Sequence, residues 1–372
     1  MIIAHLTSVH PRFDTRIYFK MCCSLTKLGK VYLVCADGKR DEVINNVNIL
    51  DVGKSKHRIQ RMVTSVNLIY KKAINLDADI YHLHDPELIR IGLKLIKKGK
   101  KVIFDSHEKV GDQILSKHYI PNFLKFFISK FYIIYEKYNL KKIQCLIGAT
   151  PYIRDYLKKI NLNTIDICNY PILTDNIVNN KKTVNQSNQI NYICYVGGIT
   201  KTRGIKELVK ALDLTKNKVT LNLAGDFSPQ SFKNELKRLP SWKHVDYLGY
   251  LNRNQVEKVY AKSFAGIVTL QPTPAYINSL PVKMFEYMYY KLPIVASNFK
   301  LFCDIFDKTN CGLNVDPYSA KEIAEAIDKL IDNPEESKKM GENGYQAAIN
   351  KYNWNIEEKK LFSFYKKNIS TI

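Results

Sequence analysis

Short apolar runs alternate along the chain with longer stretches in which apolar residues recur every three to four positions. An apolar run bounded by polar turn residues reads as a buried strand, and the wider spacing reads as a helix with one apolar face. The strand-like runs of the first half lie at 2–6, 30–35, 80–83, 101–104 and 144–147, with helical spacing at 17–28, 59–74 and 86–97. Between 174 and 191 the pattern stops in a segment rich in Asn, Gln, Lys and Ser, as a linker would. A second series of strands follows at 192–196, 219–223, 245–248, 266–269 and 294–296, with helices between them and a closing helix at 355–367. Strand–helix alternation calls for a mostly parallel sheet covered by helices on both faces, here twice over. The expected domains are 1–173, a linker at 174–191, a second domain at 192–350, and a helix within 351–372 that packs back towards the first domain.

Composition narrows the class. The 372 residues are enough for about two domains. With 45% hydrophobic and 25% charged residues, a disordered chain, a collagen-like chain and a small disulfide scaffold are excluded. The 57 Lys and Arg against 35 Asp and Glu leave a net charge of +22. That charge fits phosphate-rich partners, an anionic membrane surface, or a plain lysine bias. The start at Met1-Ile-Ile-Ala-His5 has no basic and apolar leader, and no window offers 18 uncharged apolar residues, so a cytoplasmic protein is expected. The eight cysteines form no C-x-x-C pair and sit largely in apolar runs, which reads as reduced core residues.

Two constellations carry chemistry in the second half. The strand at 192–196 runs into Gly197-Gly198-Ile-Thr-Lys-Thr-Arg203-Gly204 and then a helix. Strand, glycine turn and helix together aim free backbone N–H groups at an anion, and Arg203 adds a guanidinium that forks onto phosphate oxygens. The spacing is not G-x-G-x-x-G, so a nicotinamide dinucleotide is not implied, and a structural tight turn fits equally well. The second is Asn278-Ser-Leu-Pro-Val282-Lys283-Met-Phe-Glu286, a turn entering a short helix. Glu286 is placed to accept hydrogen bonds from a ribose diol, or is an ordinary solvated helix residue, and Lys283 could reach a diphosphate.

These segments, with Leu223-Ala-Gly225-Asp226 and Tyr247-Leu-Gly249-Tyr-Leu251, resemble glycosyltransferase family 4 in order and spacing. In the first half, Tyr81-His-Leu-His84-Asp-Pro-Glu87-Leu and Ile103-Phe-Asp105-Ser-His107-Glu108 resemble that family's acceptor-domain motifs. The opening His10-Pro-Arg12-Phe-Asp14-Thr-Arg16 is similar to a bacterial surface-polysaccharide branch. The resemblance implies an α/β GT-B fold, with two Rossmann-like doubly wound domains facing a central cleft. It also implies a retaining, metal-independent transfer of a sugar from a nucleotide donor, with no cofactor, the nucleotide-sugar being a substrate. Carried over by position, Glu286 holds the donor ribose, Asn278 stands where the family has a first acidic residue, and His107 lies near the transferred sugar. Arg203 falls near a diphosphate-binding lysine, with Gly198 in place of the companion arginine and Lys283 as a compensating charge. Amides near Gly197, Gly198 and Val282 face the diphosphate, and Leu251 faces the base. Pro281 replaces a family glycine and removes one backbone donor.

The amino-terminal loop departs from the family's glycine-rich pattern. Arg12 and Arg16 offer charge to a phosphate there, with Asp14 as a base or an arginine partner and His10 beside it; a solvated loop is the plain reading. His84 belongs to the same acceptor or phosphate side, although His82 and His84, alternating at a strand end, also read as structural. Asp77-Ala-Asp79 reads as a turn rather than a metal site.

The stretch 117–142 holds six lysines, one glutamate and eight Phe and Tyr. Lysines beside rings suit an anionic inner-leaflet surface, with the protein peripheral on the cytoplasmic face of the membrane. Equally, one face of a helix could pack on the sheet and leave the lysines in water. The expected partners are a nucleotide-sugar, UDP first by family frequency, and a saccharide or polyprenyl-diphosphate-linked acceptor of O-antigen-like or capsule-like synthesis. A nucleotide-sugar 2-epimerase of the same fold is the alternative reading. A basic nucleic-acid-binding protein is the remote one, since no basic recognition helix is present and no nucleic-acid partner is expected.

Overall fold

The computed structural model describes residues 1–116, 120–173 and 191–369. The linker expected at 174–191 therefore lies outside the described residues up to 190, and Asn191 already opens a strand. Two compact units emerge: residues 1–169 with 354–372, and residues 170–353.

The first unit is built on eight strands: β1 (Ile2–Leu6), β2 (Lys30–Cys35), β3 (Glu42–Ile44), β4 (Val47–Asp51), β5 (Ile80–Leu83), β6 (Lys101–Ser106), β7 (Cys145–Gly148) and β8 (Thr164–Asp166). They lie in the order β3-β4-β2-β1-β5-β6-β7-β8. Every pairing is parallel except β3 with β4. Because side chains alternate along a strand, the sheet feeds two cores. Ile3, Leu33, Ile80 and Ile147 pack on one face with Trp354, Leu361 and Tyr365 of the helix Trp354–Ile369. Ala4, Val34, Leu83 and Leu146 pack on the other with Ile69, Ile91 and Leu157. The closing helix is pinned by Trp354 Nε1 donating to Ser24 Oγ at 2.9 Å and by the Cys168 amide donating to Glu357 at 2.7 Å.

The second unit holds β9 (Asn191–Val196), β10 (Val219–Ala224), β11 (Val245–Gly249), β12 (Ala265–Val268), β13 (Ile294–Ser297) and β14 (Gly312–Val315), all parallel, in the order β11-β10-β9-β12-β13-β14. Both sheets reverse their winding beside the first strand, between β1 and β5 and between β9 and β12. At such a point neighbouring loops diverge and leave a crevice at the carboxyl ends of the strands.

The apolar runs of the sequence became strands within a residue or two. Four strands were missed: β3, β4, β8 and β14. All are short and carry polar residues, such as Glu42, Asn48, Asp166 and Asn314, so no continuous apolar run marks them. No disulfide joins any of the eight cysteines, all of them described; six are buried and Cys23 and Cys303 are half-buried. Asp77 and Asp79 form a turn, where Asp77 pairs with Lys100 and Asp79 accepts the Ile2 amide.

The basic, aromatic stretch corrects one expectation. Its residues 117–119 lie outside the described residues, and Asn122–Leu140 is a helix. Its buried positions are Ser129, Glu136, Asn139 and Leu140. The face packed on the protein thus sets Ser129, Glu136 and Asn139 beside Ile133, Tyr132 and Leu140, and most of the rings are outside with the lysines.

Candidate functional site

In the second unit the turn after β9 is shaped by close backbone approach. Gly204 has φ +71°, and a Cβ there would lie 1.8 Å from the Thr269 carbonyl oxygen, so the residue entering the following helix must be glycine. This brings the turn after β9 onto the chain leaving β12. Gly197, at φ +133°, is crowded from the other side: a Cβ there would stand 2.8 Å from Lys283 Nζ and 3.4 Å from an Arg203 guanidinium nitrogen.

Arg203 and Lys283 therefore converge on Gly197 and Gly198. Arg203 lies against the hydroxyls of Tyr195 and Tyr276, and Tyr195 Oη donates to the Gly198 carbonyl at 2.9 Å. Lys283 Nζ sits 3.5 Å over the centre of the Tyr195 ring. Both Lys283 Nζ and Arg203 Nε are buried with no hydrogen-bond partner among the described residues. Burial first, and the neighbouring Arg203 charge second, hold the Lys283 ammonium well below its ordinary value of 10.5. Two cations forced together with donors unspent are set to receive an anion. Val282 and Lys283 open the helix Val282–Tyr289, whose amino terminus carries no side-chain cap. Its first amides and the positive end of its dipole add to the same field.

Glu286 lies one turn beyond Lys283, but its carboxylate is engaged. Oε1 pairs with Arg253 and Oε2 accepts from Tyr260 Oη at 2.9 Å. A ribose diol meeting Glu286 would use the remaining lone pairs or displace Arg253. Sequence reasoning missed both partners. Arg253 opens the helix Arg253–Lys262, two residues after Leu251 and inside the Asn252–Gln255 capping box. That box was a local signal for the helix start, yet nothing local pointed Arg253 at Glu286, 33 residues away. Asn278 is half-buried in the turn before Pro281.

The first unit presents a different chemistry. β1 pairs with β5 so that His5 faces His82, and His84 follows on the same face. The three rings stack with centroids 4.6–5.2 Å apart. His5 Nδ1 and His84 Nε2 are 2.9 Å apart, and Tyr365 Oη meets His82 Nδ1 at 2.6 Å. Their ring nitrogens lie within 4.8 Å of one another, the spacing of a metal cluster. Three of those nitrogens are already paired, His5 Nδ1 with His84 Nε2 and His82 Nδ1 with Tyr365, while His5 Nε2 and His82 Nε2 are buried with no partner among the described residues. Beside them Asp105 is the hub. It takes a bidentate pair from Arg16 at 2.9 and 2.7 Å, and lies 3.1 Å from His107 Nε2 and 3.3 Å from His84 Nδ1. Burial alone would raise the Asp105 carboxyl; Arg16, then His107 and His84, overcome it and hold the group well below the usual carboxylate range.

The segment 8–16 corrects three expectations. Arg12 does not face a phosphate: it is buried in a fork on Asp37 at 2.7 Å and also pairs with Glu42. Arg16 is likewise spent on Asp105 and the Ile167 carbonyl. Asp14 is a helix cap and not an arginine partner: Oδ1 accepts the Arg16 and Ile17 amides at 2.8 and 2.9 Å, and Oδ2 lies 3.3 Å from His10. His84 is fully enclosed, so it supports His107 rather than meeting an acceptor. His10 and His107 remain partly exposed, their rings 4.9 Å apart.

The histidine stack sets a pH response. Burial, followed by the charge of His84, holds His5 and His82 well below the ordinary 6.5, and burial lowers His84 as well. The unfolded chain then takes up these protons first, so stability is complete above about pH 6.5 and is lost as pH falls. His10 is raised by Asp14 and Asp85 against its burial and works in the opposite sense, one group against three. Melting temperature should therefore drop between about pH 7 and 5, with a slope of up to about 1.4 kcal/mol per pH unit for each buried histidine. His82→Asn should flatten that slope; a wild-type melting temperature level across the range would contradict the stack's role.

Comparison with known proteins bears on the second unit first. Residues 177–347 match the family model of Glycosyl transferases group 1. An uncharacterised glycosyltransferase of Methanocaldococcus jannaschii is 24% identical over 233 residues, 61% of this chain and 58% of the relative. The chain thus aligns with little more than half the length of that curated relative. Among solved structures, sucrose-phosphate synthase of Thermosynechococcus elongatus superposes with a TM-score of 0.78 at 16% identity, covering 100% of both chains. HepE of Anabaena, in complex with UDP-glucose, gives 0.71 at 14% identity, covering 99% of this chain and 100% of that one. The fold is the α/β GT-B fold with two Rossmann-like domains.

Proposed function

We propose that this protein, whose residues 177–347 match the model of Glycosyl transferases group 1 within a GT-B fold, is a retaining glycosyltransferase. It moves a sugar from a nucleotide-sugar, a UDP-sugar first, to a hydroxyl of a saccharide or polyprenyl-diphosphate-linked acceptor in surface-polysaccharide assembly. The observation that carries this reading is the convergence on Gly197 and Gly198 of Arg203 and of Lys283, whose Nζ has no hydrogen-bond partner among the described residues.

The chemistry follows from charge. As the bond between the anomeric carbon and the diphosphate breaks, positive charge builds on the sugar and negative charge on the leaving group. Arg203, Lys283 and the amides at Gly198 and Val282 stabilise that negative charge without reorganising, because folding has already placed them. The acceptor hydroxyl adds to the anomeric carbon on the face the diphosphate leaves, and its proton passes to the departing phosphate oxygen, so configuration is retained. Glu286, oriented by Arg253 and Tyr260, is assigned to the ribose. His107, held by Asp105, is assigned to the transferred sugar. Transfer is preferred to epimerisation because the similar proteins carry transferase and synthase names.

The test is a thermal-shift screen with UDP-, GDP- and ADP-sugars, followed by transfer to lipid-diphosphate sugars. A bound donor at a hundred times its Kd should add about 2.7 kcal/mol of stability. Arg203→Ala should lose most of that shift and lower kcat/KM roughly 100-fold while melting like the wild type in the absence of donor. No shift with any nucleotide-sugar would remove the proposal.

A further inference from the structure

The helix Asn122–Leu140 is built inside out. Toward the protein it turns Ser129, which donates to the Gly111 carbonyl at 2.8 Å, and Glu136, which accepts from Tyr156 Oη at 2.6 Å and Tyr132 Oη at 3.2 Å. Outward it turns Phe123 and Phe131, each 71% exposed, with Phe127, Ile134 and Tyr138 between 57% and 65%. Burying polar groups while leaving five large apolar side chains on one helix in water reverses the usual economy of a surface helix. Such a face marks a surface that something else covers.

Charge identifies the occupant. The helix carries Lys125, Lys130 and Lys137, and Lys141 and Lys142 follow it. Its one carboxylate, Glu136, is buried and hydrogen-bonded inward. Lys130 and Lys142 ride on the rings of Phe126 and Tyr138, at 4.3 and 3.7 Å from their centres, so charge and aromatic surface are interleaved rather than segregated. At the carboxyl end of the helix, Lys137, Lys141 and Lys159 line a cavity of about 420 Å³ with Tyr156 and Ile160. Three ammonium groups around one cavity, with no carboxylate among its lining residues, suit a phosphate. A second copy of the chain fits poorly, because a two-fold contact lays the same patch on itself and would set lysines against lysines. No described helix is long and apolar enough to cross a membrane. A layer whose surface is anionic and whose interior is apolar satisfies both halves of the face.

We infer that this face docks on an anionic phospholipid bilayer, with the rings of the Asn122–Leu140 helix at headgroup depth and a lipid phosphate in the cavity formed by Lys137, Lys141 and Lys159.

Docking is measured without turnover, so its outcome is separate from that of the proposed transfer reaction. The full chain is sedimented with vesicles of phosphatidylcholine and with vesicles of equal phosphatidylcholine and phosphatidylglycerol. The expected result is binding to the phosphatidylglycerol vesicles alone, weakened by salt. The triple variant Lys137→Gln, Lys141→Gln, Lys159→Gln should bind those vesicles roughly tenfold more weakly or worse. Phe123→Ser with Phe131→Ser should also lose binding and, as both rings are in water, should melt like the wild type. If that pair melts early, the lysine variant alone carries the test. Absence of wild-type binding, or equal binding by the lysine variant, overturns the inference. So does a concentration-dependent dimer that the phenylalanine pair abolishes, which would make a second copy the occupant.

Discussion

Lys283→Met should melt at a higher temperature than the wild type and transfer sugar far more slowly. The two effects share one cause. The Lys283 ammonium is buried beside Arg203 with no hydrogen-bond partner among the described residues, and the Tyr195 ring and the more distant Glu286 charge offset only part of that cost. In the unfolded chain the amine holds its proton up to about pH 10.4. In the folded chain its value is depressed, so the unfolded state binds more protons and the cost is present at neutral pH. It fades only as pH rises towards the unfolded value. A thioether of similar length fills the space and removes the cost, which should add about 1 kcal/mol or more, roughly 2–4 °C per kcal/mol in a unit of this size. The same change deletes a fixed cation where the diphosphate charge develops, and one such donor is worth about 100- to 1000-fold in kcat. Differential scanning calorimetry and single-turnover rates read the two halves separately. A variant that melts lower than the wild type and keeps its rate would contradict the assignment of Lys283. Because an entering anion also raises the lysine's proton affinity, donor affinity should weaken as pH rises above neutrality, and Lys283→Met should remove that dependence.

The second large effect is at Asp105, where the sign is opposite. Asp105→Ala leaves the Arg16 guanidinium buried without its carboxylate, which should cost about 3–5 kcal/mol. Combining Asp105→Leu with Arg16→Met removes both charges and should recover most of that loss. It should not recover turnover, because His107 and His84 lose the carboxylate they share. Denaturant melts of Asp105→Leu, Arg16→Met and their combination give the coupling between the pair, and the rate of the double variant isolates the positioning of His107. If the double variant were as active as the wild type, Asp105 would be structural only.

Arg12, Arg16 and Arg203 show where reading the sequence stops. Each is an arginine in a loop after a strand, and each read equally as a phosphate ligand. Arg12 finds Asp37 and Glu42, 25 and 30 positions on, and Arg16 finds Asp105, 89 positions on. Arg203 meets tyrosine hydroxyls instead, and its charge stays available. Local sequence does not encode which carboxylate a loop will meet, because sheet order decides it. The buried fork of Asp105 exists only because β1, β5 and β6 are neighbours.

What the sequence determined by itself was the alternation of strands and helices, the two doubly wound units, and the glycine turns, where close approach leaves no room for a Cβ. Those are set by the period of apolar positions and by the absence of a Cβ, both local properties. What only the tertiary structure decided was which cations are spent and which are left over, and which face of an amphipathic helix turns outward. The Asn122–Leu140 helix makes the point: its periodicity gives two faces but not their direction. Gly111 and Tyr156, brought near by the fold, satisfy Ser129 and Glu136 and so draw the polar face inward. A polar group is buried wherever its partner happens to be, and that position is a property of the folded chain rather than of its neighbours in sequence.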